Sequence, residues 1–303
     1  MNNSGAGTSS IAVAGRACYL SGMSWPGPAL SAPTLLAALL LSVALAATEA
    51  AAQSPSAPVA TPGPEPFQIL DNSFLVEEAF NQEAGIFQNI YNATLFDGGG
   101  WAMSFVQEWP VVSQAHQLSY SLTWAGGDPG TAFGNTLVNY RYQAMNEGPG
   151  RPAFSPRVTA ILPTATGDAD VDAWGVQFNL PFSKQTGDFY WHWNAGLTWQ
   201  PSVDLGDDSV SLESPFVAGS SIYRLAPMLN LMLEVVAGLN EETLDDHTTR
   251  PQTLTLSPGA RGGWNLGDHQ LILGVAVPTV WTSNERTETA LLVYFSYELP
   301  FKR

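Results

Sequence analysis

Four histidines, His116, His192, His247 and His269, are the first side chains to test for chemistry. None stands at an H-x-x-x-H spacing and no paired cysteines accompany them, so no transition-metal site is indicated. Neither a G-x-S-x-G turn nor a phosphate-binding loop occurs. The one cysteine, Cys18, precedes the expected mature start, which removes a thiol nucleophile and any disulfide framework. A barrel lipase, with Ser and His on a lipid-facing wall, is the enzymatic rival. Against it, His192 takes the polar parity of its segment and the other three histidines lie near turns. Acidic residues gather at Asp168, Asp170, Asp172, Asp204, Asp207, Asp208, Glu241, Glu242, Asp245 and Asp246. Oxygen ligands at that density suit calcium, but no stretch has the spacing of a calcium-binding hand. A solvated acidic surface is the simpler reading. No catalytic, cofactor or metal set is expected.

The remaining charges follow a pattern. Glu108, Arg141, Arg157, His192, Arg224, Glu234, Arg261 and Glu298 all take the polar parity of alternating segments. Ahead of those segments, residues 71–84 carry Glu77, Glu78 and Glu83 beside Phe74 and Phe80. We read this stretch as a short amphipathic helix and a candidate plug, its acids pairing with the arginines. The competing reading is an ion-pair network that braces a narrow lumen.

These residues need a frame in which parity means inside or outside. Val176, Phe178, Leu180 and Phe182 alternate with Gln177 and Asn179, and Leu229, Leu231, Leu233 and Val235 with Asn230 and Glu234. The final stretch sets Leu291, Val293, Phe295, Tyr297 and Leu299 against Tyr294, Ser296 and Glu298. Period two requires extended strands, whose successive side chains point to opposite faces. About twelve such segments occur, each near the 9–11 residues that cross a bilayer at a tilt. The first is irregular, because Ile86 and Ile90 oppose Phe87 and Tyr91. Tight links at Asn146–Arg151, Lys184–Gly187, Ala226-Pro227 and Asn265–Asp268 alternate with mostly longer ones such as Gln200–Ser214 and Glu241–Pro251. Short inner turns and long outer loops have this rhythm in outer-membrane barrels. Trp101, Trp109, Trp124, Trp191, Trp199, Trp264 and Trp281 lie on the apolar parity near strand ends, as an interfacial girdle would. The expected fold is an all-β, transmembrane, antiparallel up-and-down β-barrel of about 12 strands.

Composition agrees. Charged residues are 13% of the chain, against about 25% in ordinary globular proteins, and mean hydropathy is close to zero. A net charge of −16 excludes a nucleic-acid binder, which needs basic surface to displace counterions. Leu35 to Ala47 are apolar and Ala50-Ala51-Ala52-Gln53 follows, so residues 1–52 read as a signal peptide, with Met23 an alternative start. Residues 53–70 are a Pro-rich linker, 71–84 the N-terminal segment, and 85–303 the barrel. No run after Gln53 reaches the ~18 apolar residues of a membrane helix.

Several stretches resemble a family of outer-membrane barrels tied to the phenol meta-cleavage degradation pathway. They are Asn72-Ser73-Phe74-Leu75-Val76-Glu77-Glu78-Ala79-Phe80-Asn81-Gln82-Glu83, Ser155-Pro156-Arg157 with Leu162-Pro163-Thr164, and Ser257-Pro258-Gly259. Asn265-Leu266-Gly267-Asp268, Val275-Ala276-Val277-Pro278 and the terminal Tyr294-Phe295-Ser296-Tyr297-Glu298-Leu299-Pro300-Phe301 complete the set. Lys302 and Arg303 depart from the pattern, since many such barrels end on the aromatic. The resemblance implies an outer-membrane location and passage of small, hydrophobic or aromatic solutes. A closed structural or adhesive barrel is the alternative reading; a soluble periplasmic ligand-binding barrel is a further one. Expected partners are outer-membrane lipid, the barrel-assembly machinery through the C-terminal strand, and a small-molecule solute.

Overall fold

The computed structural model describes residues 69, 71–127, 130–167, 173–205, 208–244, 247–267, 269–283 and 287–301. Residues 1–52, expected to be a signal peptide, nearly all of the expected Pro-rich linker, and Asp168, Asp170, Asp172, Asp207, Asp245, Asp246, Lys302 and Arg303 lie outside the described residues.

Twelve staves follow the alternation. They are β1 (Ile86–Phe96), β2 (Trp101–Val111), β3 (Ser113–Gly126), β4 (Thr136–Tyr142), β5 (Arg157–Leu162) and β6 (Gly175–Asn179, resuming as Phe182–Thr186). Then come β7 (Phe189–Leu205), β8 (Asp208–Ala226), β9 (Leu229–Leu239), β10 (Gln252–Leu266), β11 (His269–Ala276, resuming as Thr279–Thr282) and β12 (Glu288–Pro300). Each pairs antiparallel with its neighbour in sequence, and β1 closes on β12 from Ile86↔Pro300 to Phe96↔Ala290. Closure leaves no unpaired edge, the condition for strands to sit in lipid. The interruptions in β6 and β11 fall at Pro181 and Pro278, which cannot donate to a ladder.

Parity resolves into two faces. Leu229, Leu231 and Leu233 point outward and are exposed, whereas Asn230 and Glu234 between them are fully buried in the lumen. The outer wall is thus the apolar one, the arrangement of outer-membrane barrels. The rim that carries Ile86 and Pro300 has two-residue turns at 187–188 and 227–228, which makes it the periplasmic rim.

Three expectations change. Residues 71–84 form no helix; they run extended with bends, because their main-chain groups bond to the barrel wall instead of to each other. Gln200–Ser214 is no open loop, since β7 and β8 stay paired to Leu205↔Asp208 and rise as a long hairpin. Asn146–Arg151 is the tip of a longer periplasmic excursion, 143–156, whose Ala153–Phe154 pairs with Phe182 and Ser183. Within the Glu241–Pro251 link, Glu242–Leu244 pairs with His247–Thr249. The irregular parity of β1 has a physical reason. Ile90 faces inward onto an apolar cluster of Ile69, Phe74, Tyr190, Ile222, Met232, Ile272, Leu292 and Tyr294 that fills the periplasmic half of the lumen.

Candidate functional site

The lumen is crossed by a strap, residues 71–83, whose buried residues include Asp71, Phe74, Val76, Glu78, Ala79 and Asn81. It starts at the β10–β12–β1 side, where Arg261 Nη1 donates to the carbonyls of Asp71 (3.0 Å) and Asn72 (2.6 Å). The Asp71 carboxylate accepts from Gln88 Nε2 at 2.8 Å and from the Tyr294 hydroxyl. Burial raises the Asp71 pKa, against the pull of Arg261 and those hydrogen bonds. The chain then passes Glu234, whose Oε1 accepts from the amides of Leu75 (2.8 Å) and Val76 (3.1 Å). Phe74 reaches the wall because Gly259 and Gly274 leave it room. A Cβ on Gly274 would lie 2.2 Å from the ring, and Tyr294 packs on it at 4.9 Å between centroids.

On the far wall the charges meet. Arg141 Nη1 lies 3.0 Å from Glu77 Oε1, and Arg157 Nη1 lies 3.2 Å from Glu77 Oε2. Arg141 also donates to Asn81 Oδ1 (2.9 Å) and to the carbonyls of Glu78 (3.2 Å) and Phe80. Glu108 lies 3.9 Å from Arg141 and accepts from Gln117 Nε2 at 2.7 Å. Burial pushes the Glu78 carboxyl up to about 8, with Arg141 pulling it down less strongly. Glu78 Oε2 has no hydrogen-bond partner among the described residues. The return limb is held by Gln82, which donates to Glu298 at 3.1 Å.

Of the residues singled out by parity, Arg141, Arg157, Glu234, Arg261 and Glu298 touch the strap, and Glu108 reaches it through Arg141. His192 is buried, with Nδ1 2.7 Å from Ser183 Oγ, which in turn accepts from the Ala79 amide. Arg224 is elsewhere: it pairs with Asp188 in the periplasmic turn at 2.7 Å. Glu83 is exposed and forms no ion pair among the described residues. Asn194, Ser183 and Gln117, which grip strap amides, escaped notice because neutral polar residues on a lumen parity look alike.

Above the strap lies a chamber of about 270 Å³. The strap segment Asn72–Glu77 lines its floor. The β3–β7 side is amide- and hydroxyl-rich (Ser121, Asn139, Gln177, Asn179, Asn194, Thr198), and the opposite side mixes apolar residues (Phe96, Val106, Phe216, Val236, Val280, Leu292) with polar ones such as Asn92, Thr94, Thr253 and Thr255. Asn179 Oδ1 and Thr255 Oγ1 are buried in this lining and have no partner among the described residues.

Residues 67–211 match the profile of a family described as "Putative MetA-pathway of phenol degradation". Comparison with curated proteins finds no match. An outer membrane channel from Pseudomonas putida F1 has a similar fold, at 14% identity and a TM-score of 0.56, over 73% of this chain and 98% of the other. The NanC porin is more distant, at 10% identity and a TM-score of 0.45, over 71% of this chain and 100% of the other. The outer membrane channel DcaP of Acinetobacter baumannii, at 10% identity and 0.33, spans 73% of this chain and 100% of the other.

Proposed function

From the match of residues 67–211 to the family described as putative MetA-pathway of phenol degradation and from the barrel fold, we propose that this protein is a channel for small amphiphilic solutes, closed at rest by the strap. The observation that carries the reading is the chamber. It has one polar side and one side where apolar and polar residues alternate, and it is floored by a chain segment rather than by a stave. A dry cavity of about 150 Å³ accepts benzene, so this chamber suits a single ring with a polar substituent. The apolar residues of the mixed side take the ring, and the unpartnered oxygens of Asn179 on one side and Thr255 on the other each favour a hydrogen-bond donor such as a hydroxyl. The phenol association of the family points the same way. Among the described residues, Glu77, Arg141, Arg157 and Arg261 of the lumen are engaged with the strap or through it.

The test is liposome swelling and planar-bilayer conductance for the full chain and for a barrel lacking residues 71–83. The deletion should pass single-ring phenols faster and raise conductance. Arg141→Ala should act in the same direction, since it strips the far anchor. A folded deletion barrel with unchanged flux leaves the strap as a brace of a closed structural barrel.

A further inference from the structure

We propose that the lumen is a receptor for an extended peptide of the pattern aromatic-x-x-acid, and that the strap is its resident, exchangeable ligand. This deepens the closure reading above, on which its meaning for transport rests.

The argument begins with the main chain. Among the described residues, 71–82 make no backbone–backbone hydrogen bond, although buried amides and carbonyls must be satisfied somewhere. Most are satisfied by side chains of the wall; the Asn72 and Glu78 amides donate instead to the strap's own Asp71 and Asn72 side chains. Asn194 brackets one residue, accepting from the Glu77 amide at 2.9 Å and donating to the Glu77 carbonyl at 2.8 Å. Glu234 takes two successive amides, Leu75 and Val76. Ser183 and Gln117 take the amides of Ala79 (2.7 Å) and Gln82 (2.6 Å). Carbonyls go to Arg261 and Arg141. Recognition of this kind reads an extended backbone, as sheet-edge and groove receptors do, and leaves sequence choice to a few pockets.

Two pockets supply that choice. Phe74 fills a slot that exists because positions 259 and 274 carry no side chain. Glu77 lies between the guanidinium groups of Arg141 and Arg157 and also accepts from Asn179 Nδ2 at 2.8 Å. The two are three residues apart, whereas the Leu75 side chain between them is exposed toward the chamber.

The receptor does not need its ligand to exist. Asn194, Ser183, Glu234, Arg141 and Arg261 all project from staves whose ladders are formed with their neighbours. A fixed wall that supplies preplaced donors and acceptors is what distinguishes a binding site from a folded core. Tethering gives the strap a high effective concentration, so exchange becomes visible once the tether is cut.

The experiment starts from the full, folded chain. A site-specific protease sequence is inserted between Ala84 and Gly85, next to the exposed Glu83 and Ala84, and cleaved after folding. A fluorescent synthetic peptide of residues 69–84 is then titrated against the cleaved barrel and followed by anisotropy. Saturable binding is expected, with Phe74→Ala and Glu77→Gln peptides at least about tenfold weaker. A Leu75→Ala peptide should bind within about twofold of the parent, and a peptide methylated on the Val76 amide should bind weakly. A cleaved barrel that stays folded yet takes up no labelled peptide overturns the proposal. Binding that ignores both Phe74 and Glu77 overturns it equally. Because anisotropy reads binding and not flux, binding without any change in conductance would refute closure while leaving the receptor intact.

Discussion

Gly274→Ala is the smallest change that should open the barrel. A methyl there would sit 2.2 Å from Phe74 Cζ and 2.5 Å from Cε1. Contacts that short do not occur, so the ring must move. It has little room to move on the side where the Tyr294 ring packs against it at 4.9 Å between centroids. Phe74 therefore leaves its slot, and withdrawing a buried phenylalanine costs about 1.5–3 kcal/mol. At about 1.4 kcal/mol per tenfold, strap docking should weaken about ten- to a hundredfold. The assay is open probability in planar bilayers, with liposome swelling by a single-ring phenol in parallel. Gly238→Ala is the control, because a Cβ there meets only ordinary contacts at 3.4–3.5 Å and none of them is on the strap. Combined with Phe74→Ala, the Gly274→Ala change should add little, because its severe clash is with the ring and its remaining close approach, to the Ala260 carbonyl at 3.3 Å, is milder. If Gly274→Ala stays as closed as the parent in a folded barrel, or if the two changes add, the reasoning fails.

Three further outcomes follow from the same geometry. Arg141→Met should destabilise the docked strap by about 3–5 kcal/mol, because Glu77 and Glu108 lose a buried counter-charge; limited proteolysis within residues 71–83 measures it. Leu233→Arg, on the lipid face, should lower folding into bilayers by about 2–4 kcal/mol. Thr94→Arg, which faces the chamber, should escape that penalty, and denaturant titration in vesicles compares them. Burial holds the Glu78 carboxyl at about 8 against an ordinary 4.5, so the docked strap binds a proton that the released strap gives up. Docking is then strongest below about pH 4.5, weakens as pH rises toward about 8 and is flat beyond it. Open probability should rise across that window; Asp71 contributes in the same sense, and Glu78→Gln should flatten most of the response.

The alternation of Leu229, Leu231 and Leu233 with Asn230 and Glu234 was sufficient to define strands and their parity, because pleating alone assigns it, while the rhythm of short and long links and the tryptophans at strand ends were needed to say which face meets lipid. Closure followed, since lipid tolerates no open edge. The same parity marked Arg141, Arg157, Arg261 and Glu234 as one inward set before any coordinates. What sequence periodicity could not carry was everything that depends on position along and across the barrel. Arg224 shares the parity of Arg261, yet Asp188 holds it at the rim. Residues 200–214 are polar enough to read as a loop, and only pairing across the hairpin makes them β. Phe74, Glu77 and Glu78 gave a helix-like pattern, but a helix bonds its own backbone, and here Glu234, Asn194, Ser183 and Gln117 compete for those amides from strands 35 to 159 residues away. Glycines at 259 and 274 look like ordinary strand glycines until a ring from the strap lies over them. Local pattern determined the wall; the path of the strap was decided by tertiary structure, because its bonds are made only by residues that closure of the barrel brings together.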